Sequence, residues 1–256
     1  MDNYEQKLKR EKQWYTEHTF QARHILNTKL FYTPERTQFN YSFPKKQLAK
    51  IVGKKIEISG WDNPYMLIAP LGTGDDIKYY RHMTKNIYGI DISEAAINRI
   101  NDVAVKKYVG DMGNLSMFSN AQFDIVIIPL FFHHFLKFGF DGFLKEAYRV
   151  LKPGGYFFAL EPSIFHPISW ITRIAKRVFG NITGQVEDEA PFIPLRLINA
   201  MKRSGFQDVK VYGASFSHNR IPIWLAKINN IVSYPLLQIS GLKYFAWMCI
   251  FYGTKR

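Results

Sequence analysis

Five groups of residues in this chain have types and spacings suited to chemistry. Gly72-Thr73-Gly74 comes directly after the apolar run Met66-Leu67-Ile68-Ala69 and the pair Pro70-Leu71. Glycines there let the backbone turn sharply and approach a ligand closely. Asp91 ends a second apolar run, Ile87-Tyr88-Gly89-Ile90, 19 residues beyond Gly72. A carboxylate so placed can accept hydrogen bonds from both hydroxyls of a ribose. Asp111 and Met112 follow a third short run. His133 and His134 stand just behind a fourth, and an ordinary histidine pKa of about 6.5 suits a general base. Adjacent residues on a helix point about 100° apart, so at most one of the pair faces a substrate. Glu161 ends a fifth run and His166 follows it. No HxxxH or HExxH spacing occurs here, so no metal site is expected.

The elements that must hold these groups alternate. Strands are expected at Met66 to Ala69, Ile87 to Ile90, before Gly110, Phe123 to Pro129 and Tyr156 to Glu161, with helix-length spacers between them. That pattern implies a parallel, doubly wound sheet whose strand ends face a ligand crevice. Ser93 is expected to cap a helix from Glu94 to Ile100. Phe140 to Val150 reads as an amphipathic helix. Lys152-Pro153-Gly154-Gly155 reads as a turn with structural glycines, because no helix follows to bind an anion.

Residues 1–30 read as one or two helices, and Arg36 to Phe43 as an aromatic loop. Pro44 is placed as the first residue of a helix to about Val52. Pro167 to Asn181 carries Ile168, Ile171, Ile174, Ala175 and Val178 on one face, with Arg173, Lys176 and Arg177 largely elsewhere. Such a helix either packs over the site or lies on a membrane surface, with Trp170 at its start. Glu187-Asp188-Glu189 falls in a loop. A helix from Leu195 to Ser204, a sixth strand from Phe206 to Tyr212 and a last strand from Tyr244 to Tyr252 complete the reading.

The string GxG, GIDIS, GD, FDIVII and LKPGG, in that order, resembles the class I S-adenosylmethionine-dependent methyltransferases of the kind called type 11. The resemblance covers roughly residues 60–162, with weaker agreement through Gly205-Phe206. It implies a Rossmann-like α/β fold: a doubly wound seven-stranded sheet, mostly parallel with the last strand antiparallel, and helical additions at both ends. It implies S-adenosyl-L-methionine held by Ala69, Pro70, Gly72, Gly74, Asp91, Ile92, Asp111, Met112 and Pro129. The Asp111 carboxylate would take the exocyclic amine of adenine. N-terminal helices would cover the cofactor and bring Tyr15, Arg23 and His24 near it. In one respect the chain departs from the family, whose first strand usually ends in an acidic residue with a glycine two positions on. Ile68 and Pro70 stand there.

The expected organisation is an N-terminal helical cap over 1–60, the cofactor-binding core over 61–162, and lid insertions with the last two strands over 163–256. At 256 residues and 47% hydrophobic composition this fits one large domain. The single cysteine, Cys249, excludes an intrachain disulfide and agrees with a reducing cytoplasm. No signal peptide or spanning helix is evident. The net charge of +13 is uneven: the stretch after residue 162 holds 12 of the 34 Lys and Arg but 4 of the 21 Asp and Glu. In the family the last two strands are joined by a short connection; here residues 213–243 intervene. The late insertions carry Phe216, His218, Arg220, Trp224 and Tyr234, and strand polarity hangs them over the crevice.

The resulting expectation is methyl transfer to oxygen or nitrogen of a small-molecule or lipid-linked, anionic acceptor. His133 or His134 would serve as base, and Glu161, His166, Arg220 and Trp224 would bind substrate. The location would be cytoplasmic, with peripheral membrane contact. The positive charge also suits an RNA methyltransferase, although no RNA-binding module or Arg-rich tract is visible. Ile68 and Pro70 alternatively suit a non-catalytic cofactor-binding subunit.

Overall fold

The computed structural model describes residues 3–17, 33–179, 190–237 and 239–256. Arg23, His24 and the acidic cluster at 187–189 lie outside the described residues, as do the side chains of Tyr15, Lys176 and Tyr234. In chain order the elements are α1 (Tyr4–Glu17), α2 (Pro34–Ser59), β1 (Met66–Ile68), α3 (Ile77–Tyr80), β2 (Ile87–Asp91), α4 (Glu94–Ile97), β3 (Lys106–Val109) and β4 (Phe123–Pro129). Then come α5 (Asp141–Val150), β5 (Leu151–Pro162), α6 (Pro167–Phe179), α7 (Pro194–Arg203), β6 (Gln207–Ser215), α8 (Ile223–Leu236) and β7 (Met248–Thr254).

The strands form one sheet in the order β3-β2-β1-β4-β5-β7-β6. β7 is antiparallel to both neighbours, and the other six run parallel to one another. This is the sheet expected from the sequence. Successive strand residues point to opposite faces, so each strand feeds two apolar layers. Leu67, Val126, Ile128 and Phe157 join α5 on one side. Met66, Ile68, Ile125 and Phe158 join α2 on the other. The strand order reverses between β1 and β4, which opens a crevice at their carboxyl ends.

Two expected elements differ. Lys152 to Gly155 lie inside β5 rather than in a turn before it. Phe123 pairs with Leu151 and Ile125 with Tyr156, so the extra residues bulge out while pairing resumes on both sides. Gly154 takes the left-handed backbone this needs, at φ +79. Pro44 does not begin a helix but sits within α2, so the expected aromatic loop from Arg36 is helical. Thr33 caps α2 by accepting from the Arg36 N–H, and Pro34 takes its first turn. An internal proline costs about 3 kcal/mol. It lies on the buried stripe Asn40, Pro44, Leu48, Val52 and Ile56, and burying each large aliphatic there returns about 1.5–3 kcal/mol. α4 is shorter than expected, but Ser93 caps it through the Ala96 N–H at 3.2 Å.

The glycine turn is locked to the sheet by packing. The Leu71 N–H donates to the Ile90 carbonyl at 2.8 Å. A Cβ on Gly89 would meet three Leu71 side-chain carbons, the nearest at 2.2 Å. Leu71 is itself buried, so Gly89→Ala should destabilise the protein by about 1–3 kcal/mol through overpacking. Urea unfolding would measure this as a lower midpoint with an unchanged slope.

Candidate active site

At the cofactor end, Asp91 ties the glycine turn to the start of α4. Its Oδ2 accepts from the Gly72 N–H at 2.8 Å and its Oδ1 from the Ser93 N–H at 2.9 Å. Burial pushes the carboxyl above the usual carboxylate range, against the opposing pull of the Ser93, Gly72 and Ile92 N–H groups. Each carboxylate oxygen keeps a second lone pair, enough for the two hydroxyls of a ribose. Gly72 has φ +55, and a Cβ there would meet open space. The backbone beside Asp91 is thus open to a ligand. Ala69 is fully buried, and Pro70, joined to it by a cis peptide bond, is half-buried. Ile68, at the place of the family's acidic residue, is sealed in the core.

Asp111 leaves the neighbouring strand end. Its oxygens accept from the Tyr4 hydroxyl, each at 2.8 Å, and Oδ1 also accepts from the Gly113 N–H. Burial, together with Asp111, pushes the Tyr4 phenol well above its usual range, so it stays a donor. Tyr4 also packs among Phe135, Phe138 and Phe143, and Met112 is buried beneath. α1 therefore reaches this end of the crevice through Tyr4, a residue the sequence reading missed. Tyr4 and Leu8 form an apolar stripe on α1. A stripe signals a buried face without saying what it meets.

Behind β4 the chain turns through Leu130, a non-glycine residue at φ +56. That conformation is uncommon outside constrained sites. Glu161, fully buried at the end of β5, holds the turn in place. Its Oε1 accepts from the Phe131 and Phe132 N–H groups at 2.6 and 2.8 Å, and its Oε2 from the His133 N–H at 3.3 Å. Oε2 also lies 2.7 Å from His133 Nδ1. A carboxylate there fixes the proton on Nδ1 and makes Nε2 the basic nitrogen. Glu161 thus positions His133 and does not line the cleft as a substrate contact.

His134 turns the other way, with Nδ1 3.3 Å from Glu11 on α1. Burial disfavours charge on Glu11, but His134 and the Lys7 ammonium, 2.6 Å away, hold its carboxyl below the usual range. The two histidines expected as alternative bases are therefore separated: His133 lines the cleft and His134 anchors α1.

The cleft runs from Leu130 and His133 to Arg220, walled by Tyr41 of α2, Ser169 and Thr172 of α6, and Trp247. The Arg220 carbonyl accepts from Arg36 and the Ile221 carbonyl from Asn40, so α2 fixes this wall. Of the expected substrate residues, Arg220 lines the cleft. His166 is buried behind it, donating from Nε2 to the Phe216 carbonyl at 3.0 Å and stacking on His218 at 5.7 Å. Trp224 is 65% exposed on the outer side of α8 and does not reach the cleft. Tyr41, Ser169, Thr172 and Trp247 were not anticipated, because they converge from elements far apart in sequence.

Comparison with known proteins agrees with this geometry. The family described as a methyltransferase domain matches residues 69–159. An uncharacterized methyltransferase of Synechocystis is 24% identical over 139 residues, covering 49% of this chain and 65% of that protein. The match thus spans slightly under two thirds of that relative. A Thermotoga maritima structure described as an S-adenosylmethionine-dependent methyltransferase, possible histamine N-methyltransferase, superposes with a TM-score of 0.61. It is 19% identical, over 87% of this chain and 94% of that one. Geranyl diphosphate C-methyltransferase from Streptomyces coelicolor superposes with a TM-score of 0.58 at 10% identity, covering 98% of each chain. The core around Gly72, Asp91 and Asp111 is a class I S-adenosylmethionine-dependent methyltransferase domain.

Two buried histidines, His218 in the cleft wall and His166 stacked behind it, make stability depend on pH. Burial lowers the His166 pKa to about 4. Burial, with His166 and Arg220 nearby, lowers that of His218 to about 3. The unfolded chain, with histidines near 6.5, then binds more protons below that pH, so stability falls as pH drops from about 6.5 toward 4. At pH 5 the loss should be about 2 kcal/mol for each histidine. Thermal unfolding across pH 5–7 should show it, and His218→Phe should flatten the slope.

Proposed function

We propose that the protein transfers a methyl group from S-adenosyl-L-methionine to an oxygen or nitrogen of a small-molecule or lipid-linked acceptor bearing negative charge. The observation that carries this reading is the His133–Glu161 pair at the wall of a cleft that adjoins a methyltransferase domain. When bound, the cofactor supplies an electrophilic methyl group on a sulfonium. Asp91 and the open backbone at Gly72 would hold its ribose, and the Asp111 carboxylate its adenine amine. His133 Nε2 would take the proton from the acceptor hydroxyl or amine, while Glu161 keeps the Nδ1 proton and stabilises the imidazolium. Tyr41, Leu130 and Trp247 would keep water from the reacting atoms and align the acceptor, which accounts for much of such catalysis.

Arg220 favours an acceptor with an anionic group. The Streptomyces coelicolor enzyme, by its name, takes geranyl diphosphate, which joins such a group to an apolar chain. An acceptor of that general chemistry suits this cleft, with the enzyme in the cytoplasm and touching a membrane surface. Among the described residues, no helix is long and apolar enough to cross one.

Cofactor identity is tested by calorimetry with S-adenosylhomocysteine and with NAD. Binding of the first and not the second is expected, and the reverse would overturn the reading. Asp91→Ala should weaken S-adenosylhomocysteine binding by about 1–3 kcal/mol, the worth of charge-assisted hydrogen bonds.

His133→Ala should lower kcat by about 10²–10⁴ with cofactor affinity nearly unchanged. His134→Ala should leave most turnover intact. The readout is labelled methyl incorporated into a cell extract of lipids and metabolites, then into the purified acceptor. Near-normal kcat in His133→Ala would remove the general base from the mechanism.

A further inference from the structure

Helices α6 and α8 are amphipathic the wrong way round for a protein surface. A helix packed on a globular core turns its apolar side inward and its polar side to water. On α6, Ser169 is buried and Thr172 half-buried against the cleft, while Trp170, Ile171, Ile174 and Val178 are exposed, Val178 by 67%. On α8 the buried stripe is Ala226, Asn230 and Ser233. That stripe is fastened to β6 by hydrogen bonds: Ser215 Oγ donates to Asn230 Oδ1 at 2.8 Å, and the Phe216 N–H donates to Ser233 Oγ at 3.1 Å. The outer side of α8 carries Trp224, Ile228, Ile231 and Val232, with Ile231 76% exposed.

The two helices are fastened to one loop. His166, directly before α6, donates to the Phe216 carbonyl, and the Phe216 N–H reaches α8. Phe165 beside α6 lies 6.2 Å from Phe245, in the turn Leu242–Phe245 that follows α8. Exposed apolar residues gathered on neighbouring elements, rimmed by polar ones, mark an interaction site.

Charge selects the partner. Neither helix nor the following turn contains an Asp or Glu. Arg173, Arg177 and Lys227 are exposed beside the apolar residues. A second copy docked face to face would bring these cations together without a carboxylate among the described residues of these helices to meet them. An anionic lipid surface meets both features at once. Basic amphipathic helices with tryptophan at the boundary lie in the plane of such surfaces, their apolar sides among the upper acyl chains.

We propose that the outer faces of α6 and α8 together form a docking surface for an anionic phospholipid bilayer. This extends the membrane contact named above to a defined set of residues, and it stands whatever the acceptor is. Trp170 and Trp224 would rest at the headgroup boundary, with Arg173, Arg177 and Lys227 among the phosphates. Ser169 and Thr172, on the inner side of α6, would then line the cleft directly behind the docked helix. A lipid-linked acceptor could enter there from the bilayer side.

The test is flotation of the full chain with vesicles of phosphatidylcholine, or of phosphatidylcholine mixed with phosphatidylglycerol, at low and high salt. The wild type should float with the anionic vesicles, with binding reduced by high salt and a blue shift in tryptophan fluorescence. The paired change Ile174→Ser and Ile231→Ser should lower binding at least about tenfold, as expected for losing two apolar anchors. Arg173→Glu with Arg177→Glu should abolish the preference for anionic vesicles. All four positions are exposed, so the variants should keep the wild-type unfolding midpoint and S-adenosylhomocysteine affinity. That affinity also separates failure of this proposal from failure of the methyl-transfer reading.

No vesicle binding at low salt, equal binding to neutral and anionic vesicles, or binding unchanged in the isoleucine variant would each overturn the proposal. Light scattering that showed a dimer dissociated by Ile174→Ser and Ile231→Ser, without vesicle binding, would assign the face to a second copy and overturn it as well.

Discussion

A buried carboxylate organises the reactive end of this molecule. Glu161 has no exposure to water and would be costly there without partners, since an unpaired buried charge costs several kcal/mol. It finds them in three consecutive backbone N–H groups, from Phe131 to His133, and in the His133 ring. Those bonds hold the chain in the turn at Leu130, whose backbone few non-glycine residues adopt. They also fix which nitrogen of His133 is basic. The end of β5 thereby governs the geometry of the loop after β4, and the wall of the cleft follows from the meeting of these two strand ends.

The opposite side of the sheet switch point uses the same device with a second carboxylate. Asp91 accepts backbone N–H groups from both the glycine turn and the start of α4. Tyr4 closes the adjoining position by bonding Asp111, so α1 is tied to the crevice by a side chain and not by apolar packing alone. Both ends of the crevice are thus built on strand termini, while much of the cleft wall comes from the additions. α2 grips the loop after β6 through Arg36 and Asn40, and α6 contributes Ser169 and Thr172. The exposed apolar residues of α6 flank that wall.

The methyltransferase core was legible because its signals are local. A run such as Phe123 to Ile128 encodes its own strand, and Gly72 to Asp91 encodes a turn and the carboxylate that serves it. The parallel sheet followed from alternation, and its seven strands with an antiparallel β7 from the resemblance. Where the reading slipped, a nonlocal term had won. Pro44 stays inside α2 because the apolar stripe around it outweighs one lost helix hydrogen bond. The glycines at 154 and 155 bulge within β5 because pairing with β4 resumes beyond them.

By itself the sequence determined the strands, the glycine turn, Asp91 and Asp111, because each depends on residues within a few positions of one another. Which neighbour each side chain meets was decided only in three dimensions. Glu161 reads as a cleft residue until β4 and β5 are paired and their ends enclose it. His133 and His134 are equivalent in sequence, and only the placement of α1 and β5 gives one to the cleft and the other to Glu11. The periodicity of α6 establishes that it has an apolar face, while α8 was read only as part of an insertion. That periodicity carries no information about which side the rest of the protein occupies. Hydrogen bonds from β6 to Asn230 and Ser233 place α8, the cleft takes the Ser169–Thr172 side of α6, and both apolar faces are thereby turned outward.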